Sequence, residues 1–154
     1  MREILFKAKR VDNGEWVEGA LVQVDDSENF CYIMPRYNLA SSLTPLDLVK
    51  MCLKRVLPET ICQFTGLCDK NGKRIWENDI VRELGYKPQV AVVKFGNAYY
   101  DSGIYPFVGW YYQYPNDDNV DGQALYERVA KEDFEVIGNR FDNPELLTAE
   151  RIGR

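Results

Sequence analysis

The sequence predicts a mainly β fold with one or two short helices, and three observations predict it. Tight-turn signals separate strand-like runs, above all Asp12-Asn13-Gly14 and Asn71-Gly72. Asn-Gly between alternating residues is the strongest short-range hairpin signal, because both central turn positions need positive φ. Aromatic residues, which favour pleated and half-buried strands, are concentrated in one stretch, with eight between Tyr99 and Tyr114. Helix signals are confined to short segments within 44–57, 125–131 and 144–147.

Taken in order, residues 3–9 and 16–24 read as an opening hairpin around Asp12-Asn13-Gly14. Ile4, Phe6 and Ala8 alternate against Glu3, Leu5 and Lys7, which is strand-like. The acidic run Asp25-Asp26-Ser27-Glu28-Asn29 reads as a loop. Phe30 to Met34 reads as a short buried strand stopped by Pro35. Thr44-Pro45-Leu46-Asp47 has the form of an N-cap followed by proline at the first helical position, but Val49, Val56 and Pro58 weaken a long helix. One helical turn and then a strand are expected there. The run from Gln63 to Arg82 reads as an extended segment ending at Thr65-Gly66, a turn at Asn71-Gly72, and a second strand through Ile80 and Val81. Ile80 to Leu84 and Gln89 to Lys94 read as paired strands joined by Gly85-Tyr86-Lys87-Pro88. The aromatic stretch follows, then a polar loop at Pro115-Asn116-Asp117-Asp118-Asn119. A short helix is expected over Leu125 to Lys131, a closing strand over Glu135 to Ile137, and a helical turn over Pro144 to Leu147.

Composition bounds the compartment and the chemistry. A chain of 154 residues with 45% hydrophobic and 28% charged residues can bury a core as one domain or two small ones. No apolar run approaches the roughly 20 residues that span a bilayer, and nothing near Met1 resembles a signal peptide. A cytoplasmic protein without membrane contact is therefore expected. In that compartment Cys31, Cys52, Cys62 and Cys68 would stay reduced, and their spacing offers no zinc-type pair, so they read as small buried apolar residues. The chain has no histidine, which excludes a Ser-His-Asp triad, a Cys-His pair and a His-ligated metal. No cofactor, no metal and no enzymatic activity are expected.

The net charge of −5 is unevenly spread. Residues 1–60 hold 8 basic against 9 acidic side chains, residues 61–95 hold 6 against 4, and residues 96–154 hold 5 against 11. The acidic end repels phosphate, so nucleic acid is not favoured as a partner.

Four segments stand out in order. Ile4-Leu5-Phe6-Lys7-Ala8 leads through Asn13-Gly14-Glu15-Trp16-Val17 to Gly19. Pro58 to Leu67 runs into Asp69-Lys70-Asn71-Gly72-Lys73 and Trp76-Glu77-Asn78-Asp79-Ile80-Val81. Val92-Val93-Lys94-Phe95 follows as a strand, and Phe134 to Asn139 with Asn143-Pro144-Glu145-Leu146-Leu147 closes the pattern. Together these segments resemble the YopX family of bacteriophage and prophage proteins. The family pattern has glycine where this chain has Asn78, and Asn is the side chain best able to keep left-handed geometry there. The resemblance implies an SH3-like barrel in the part that bears the signature, over residues 58–154, beside an N-terminal β-rich region over residues 1–57. It implies no catalytic residues.

The candidate contact surface is the aromatic stretch, with Tyr99, Tyr100, Tyr105, Phe107, Trp110, Tyr111 and Tyr112 as its members. Tyr and Trp supply large rigid area with a polar handle, and SH3-like barrels can use aromatic grooves for proline-rich peptides. The competing reading is a long hairpin whose aromatics pack on the barrel or across an oligomer interface. Base stacking wants nearby cations, and there is no Lys or Arg from Phe95 to Tyr126. Lys73 and Arg74, with Lys70 and Arg82, form a basic cluster that would meet phosphate or an acidic partner, against the simpler reading of solvated turn charges. Glu77, Asp79 and Glu83 could suggest a carboxylate site, but Asp79 is better placed to cap a turn. The function expected is that of a non-enzymatic, oligomeric protein-binding or assembly module that meets a host or phage protein. The alternative is a nucleic-acid-associated module using the basic signature hairpin.

Overall fold

The structure is a computed structural model that describes residues 3–23, 30–36, 44, 46, 52–100, 105–115 and 122–149, with Tyr99, Tyr100 and Ala149 described by backbone alone. The expected mainly β architecture is present: two antiparallel sheets and short helices, with the chain dividing into compact units over Met1–Phe64 and Thr65–Arg154. The loop expected at Asp25 to Asn29, and most of the region expected to hold a helical turn after Thr44, lie outside the described residues.

In the first unit, β1 (Phe6–Lys9) and β2 (Trp16–Gln23) form the expected opening hairpin, in register from Phe6↔Gly19 to Lys9↔Trp16. Gly14 takes φ +72°, which is why the turn ends on glycine, and Asn13 braces it by accepting the Glu15 amide at 3.0 Å. The alternation expected ahead of the strand fails at its start: Leu5 is buried and Ile4 exposed. Residues 3–5 precede β1 and are not strand, so the period-2 rule does not apply to them. The next strand, β3 (Cys31–Pro35), starts one residue later than expected, leaving Phe30 exposed, and Pro35 lies inside it opposite Gly19. Only glycine fits there, because a Cβ on Gly19 would lie 2.0 Å from the Met34 carbonyl oxygen. β4 (Lys54–Arg55) pairs with β3, and the unexpected 3-10 turn Pro58–Thr60 follows. Thr60 is buried with its hydroxyl satisfied twice, donating to the Leu57 carbonyl at 2.7 Å and accepting the Lys9 amide at 2.9 Å. Ala8, Cys31, Ile33 and Val56 form this unit's core.

The strand β5 (Cys62–Cys68) pairs with β1 through Gln63 and Cys62 and continues across the boundary between the units. In the second unit its partner is β6 (Arg74–Trp76), and here the expected topology is corrected. Ile80 and Val81 do not form the second strand of the signature hairpin. The chain reverses at Glu77-Asn78, where Asn78 takes φ +64° and the Asp79 carboxylate accepts the Trp76 amide at 2.9 Å, so β7 (Asp79–Glu83) starts a different sheet. That sheet has the order β10 (Gln123–Ala124), β9 (Tyr105–Gln113), β8 (Gln89–Tyr100), β7 and β11 (Phe134–Asn139). β8 (Gln89–Tyr100) pairs with β7 as expected, from Ile80↔Val92 to Glu83↔Gln89. It turns into β9 (Tyr105–Gln113), followed by the two-residue β10 (Gln123–Ala124), helix α1 (Glu127–Asp133), β11 (Phe134–Asn139) and helix α2 (Leu146–Ala149).

The second core gathers Ile75 from β6, Val81, Ala91, Val93 and Tyr112 from the five-stranded sheet, Leu125 and Ala130 from the α1 region, and Phe134 and Val136 from β11. Side chains from β6 and from the sheet thus face one another, which makes this unit barrel-like. Among the described residues no helix is long and apolar enough to cross a membrane.

Candidate functional site

Two parts of the second unit hold the residues singled out by the sequence: the signature turn and the β8–β9 hairpin. At the turn, Asp69 is buried and acts as a hub. Its Oδ1 accepts the amides of Asn71 and Lys73 at 2.9 Å each, and its Oδ2 accepts the Val136 amide at 2.9 Å. An Asp that mimics the backbone in this way fixes the Asn71-Gly72 reversal and ties it to β11. Gly72 completes the reversal at φ +79°. The basic side chains around it are in part engaged. The Lys73 ammonium donates to the Val136 carbonyl at 3.3 Å, and Lys70 lies 3.7 Å from Glu135. Arg74 and Arg82 are exposed.

The carboxylates near the signature do not converge. Asp79 is buried on the Trp76 amide, as a turn cap, and Glu83 accepts the Tyr114 hydroxyl. Among the described residues no group of three Cys, Asp or Glu is placed to hold a metal ion. All four cysteines are free of disulfides; Cys31 and Cys62 are buried, whereas Cys52 and Cys68 are only half-buried, contrary to the expectation of burial for all four.

The β8–β9 hairpin sorts the aromatic stretch by register. Cross-strand partners of an antiparallel pair share a face, and Val93↔Tyr112, Phe95↔Trp110 and Asn97↔Val108 fall on the face that carries the core. Tyr112 is buried there, 4.7 Å edge-to-face from Phe134, with its hydroxyl donating to Gln123 Oε1 at 2.8 Å. Burial, and then the charge of Glu83, push the Tyr112 hydroxyl up to about 12. Burial and the bond to Glu83 raise Tyr114 as well. Beyond the core this face stays open: Phe95 is 52% exposed and Val108 70% exposed, with Trp110 half-buried and edge-on to Phe95 at 4.9 Å. The Trp110 Nε1 is buried without an acceptor among the described residues.

On the opposite face lie Val92↔Gln113, Lys94↔Tyr111, Gly96↔Gly109 and Ala98↔Phe107. Tyr111 packs on the backbone of Gly122, where a Cβ would lie 1.9 Å from the ring. Phe107 is half-buried and Tyr105 is 61% exposed. Tyr99 and Tyr100 belong to β8, opposite Pro106 and Tyr105. The seven predicted aromatics are therefore not one surface. Tyr112 is core, Tyr111 packs on a glycine, and among those whose side chains are described only Tyr105 is largely exposed. Sequence reasoning missed Phe95 and Val108, the most open apolar side chains of the core-bearing face. The signal was present in the pairing of two strands around a short turn, which places Phe95 opposite Trp110.

A family model described as YopX protein matches residues 5–148, nearly the whole length, and includes both the signature turn and the hairpin. The chain belongs to the YopX family. The resemblance read from the four segments between Ile4 and Leu147 is thereby borne out. No curated protein matches this YopX family member. Among solved structures it is similar to the crystal structure of protein EF1440 from Enterococcus faecalis, at 22% identity and a TM-score of 0.54, over 96% of this chain and 99% of that one. At that identity the likeness establishes a shared fold for this YopX family member.

Proposed function

We propose that this YopX family member is a non-enzymatic assembly module that acts in the cytoplasm of a bacterial host as a phage or prophage product. It self-associates, and engages a host or phage protein, through the open end of the β8–β9 hairpin. The observation that carries this reading is the exposure of Phe95 and Val108 on neighbouring strands of one face, with Tyr105 exposed on the other. Adjacent large apolar side chains left in water on a regular sheet mark interaction sites, because their hydration is relieved only by a partner. The carboxylates supply no converging acid-base pair, since Asp69, Asp79 and Glu83 are each held by turn or tyrosine donors. A nucleic-acid role for the signature hairpin has less support, because Lys73 and Lys70 already meet Val136 and Glu135 and the sequence from Phe95 to Tyr126 holds no Lys or Arg.

The test is the double variant Phe95→Ser, Val108→Asp, read by sedimentation and by capture of binding partners from host lysate. Both side chains are largely exposed, so circular dichroism should match the parent. The expected result is loss of the larger species and of the captured protein together. A folded variant with unchanged mass and unchanged capture would place the interface elsewhere.

A further inference from the structure

The face of the β8–β9 hairpin that looks away from the core carries a cleft of about 400 Å³, and α2 forms its other wall. Val92, Pro115, Pro144 and Leu147 line it with apolar surface, and Lys94 and Gln113 supply its polar groups. Register explains why these meet. Val92 stands opposite Gln113, and Lys94 lies two residues further along β8 on the same face, so the Lys94 ammonium reaches Gln113 Oε1 at 2.7 Å. That carboxamide is neutral. Among the described residues no carboxylate pairs with Lys94. Tyr114, also on the cleft wall, directs its hydroxyl to Glu83, so it is not a competing donor.

A half-buried ammonium beside apolar walls has one natural complement. Among the described residues its partner is a neutral amide, which occupies one of the three donors of an ammonium. Charge-assisted bonds to a carboxylate are about twice as strong as neutral ones. The volume is at the small end of ligand pockets. The geometry points to this cleft as a binding site for a small monocarboxylate with an apolar or aromatic body, its carboxylate on Lys94 and Gln113 and its body against Val92, Pro144 and Leu147. Phosphate dianions are poorly suited, because among the described residues that line the cleft Lys94 is the one cation. The site lies on the face opposite Phe95 and Val108, so the Phe95→Ser, Val108→Asp variant leaves its lining intact and the two proposals fail or succeed in separate experiments.

Phenylacetate is the first probe, titrated into the full chain and followed by amide and side-chain NMR resonances. Phenylacetamide serves as the uncharged isostere, acetate as the carboxylate without a body, and a short peptide ending in a free phenylalanine carboxylate as a polypeptide source of the same chemistry. The expected result is saturable shifts at Val92, Lys94, Gln113 and Leu147 for phenylacetate, with phenylacetamide and acetate each weaker by about tenfold or more. Lys94→Gln should weaken phenylacetate by a similar factor, while Lys94→Arg retains most of the binding. Tighter binding of the peptide than of phenylacetate would assign the site to polypeptide C-termini with the same Lys94 dependence. Equal binding of phenylacetate and phenylacetamide, or a folded Lys94→Gln protein that binds as the parent does, would overturn the proposal. So would shifts that never saturate.

Discussion

Asp69 ties two separate segments of the second unit to one carboxylate. Three backbone amides from two separate segments end on its carboxylate in a buried position, so Asp69→Ala would leave all three without an acceptor. Each buried unsatisfied donor costs on the order of 1–3 kcal/mol, and water entering the vacated space recovers part of this. A loss of about 3 kcal/mol is expected in urea unfolding, against a few tenths for the exposed neighbour Asn71→Ala. Asp79 and Asn78 set the next reversal, one capping the Trp76 amide and the other supplying the positive φ. Tyr112 ties a residue to pH. Its hydroxyl is raised to about 12 in the fold, so the folded state holds a proton that an unfolded tyrosine releases near its ordinary value of about 10. The stabilisation is whole below about pH 10 and is lost as pH rises from there through about 12. Urea midpoints should therefore fall across that window. Tyr112→Phe should start less stable at neutral pH, having lost the bond to Gln123, and fall less steeply above about pH 10.

At the scale of elements, two glycines separate what packing permits from what pairing forbids. Gly122 lies under the Tyr111 ring and Gly19 under the Met34 carbonyl, and a Cβ on either would collide. The obstacle at Gly122 is a side chain and the obstacle at Gly19 is backbone. Gly122→Ala should cost about 2 kcal/mol through overpacking, and most of that cost should disappear when Tyr111→Ala is made in the same chain, as read by a double-mutant cycle in urea. Gly19→Ala has no such remedy, because relieving it means separating β2 from β3. The hairpins themselves were legible as turns, since Asn13-Gly14 and Asn71-Gly72 both mark reversals, although positive φ falls on Gly14 and Gly72 alone and not on the asparagines as well. Partner choice was not legible in the same way. The Ile80-Val81 strand looked like the second arm of the signature hairpin until Asn78 and Asp79 reversed the chain after only three residues of β6.

At the scale of the whole molecule, an acidic chain with its deficit of cations concentrated after residue 95 should avoid nucleic acid. At neutral pH and about 0.15 M salt the protein should pass unretained through immobilised single-stranded DNA, where the Debye length of about 8 Å limits attraction to local patches. Retention that falls with salt and disappears on charge reversal at Lys73 and Arg74 would revive the alternative reading. The sequence by itself determined the mainly β class, the turns, the family signature and the absence of histidine chemistry, because each depends on local geometry or on composition. It also placed α1 and β11 within two residues of their starts. Only the tertiary structure decided which aromatics are core and which are open, and that β5 runs on from one unit into the next. Only it brought Lys94 and Gln113 together beside α2. Those outcomes depend on strand register and on contacts between residues far apart in the chain, and no local pattern encodes them.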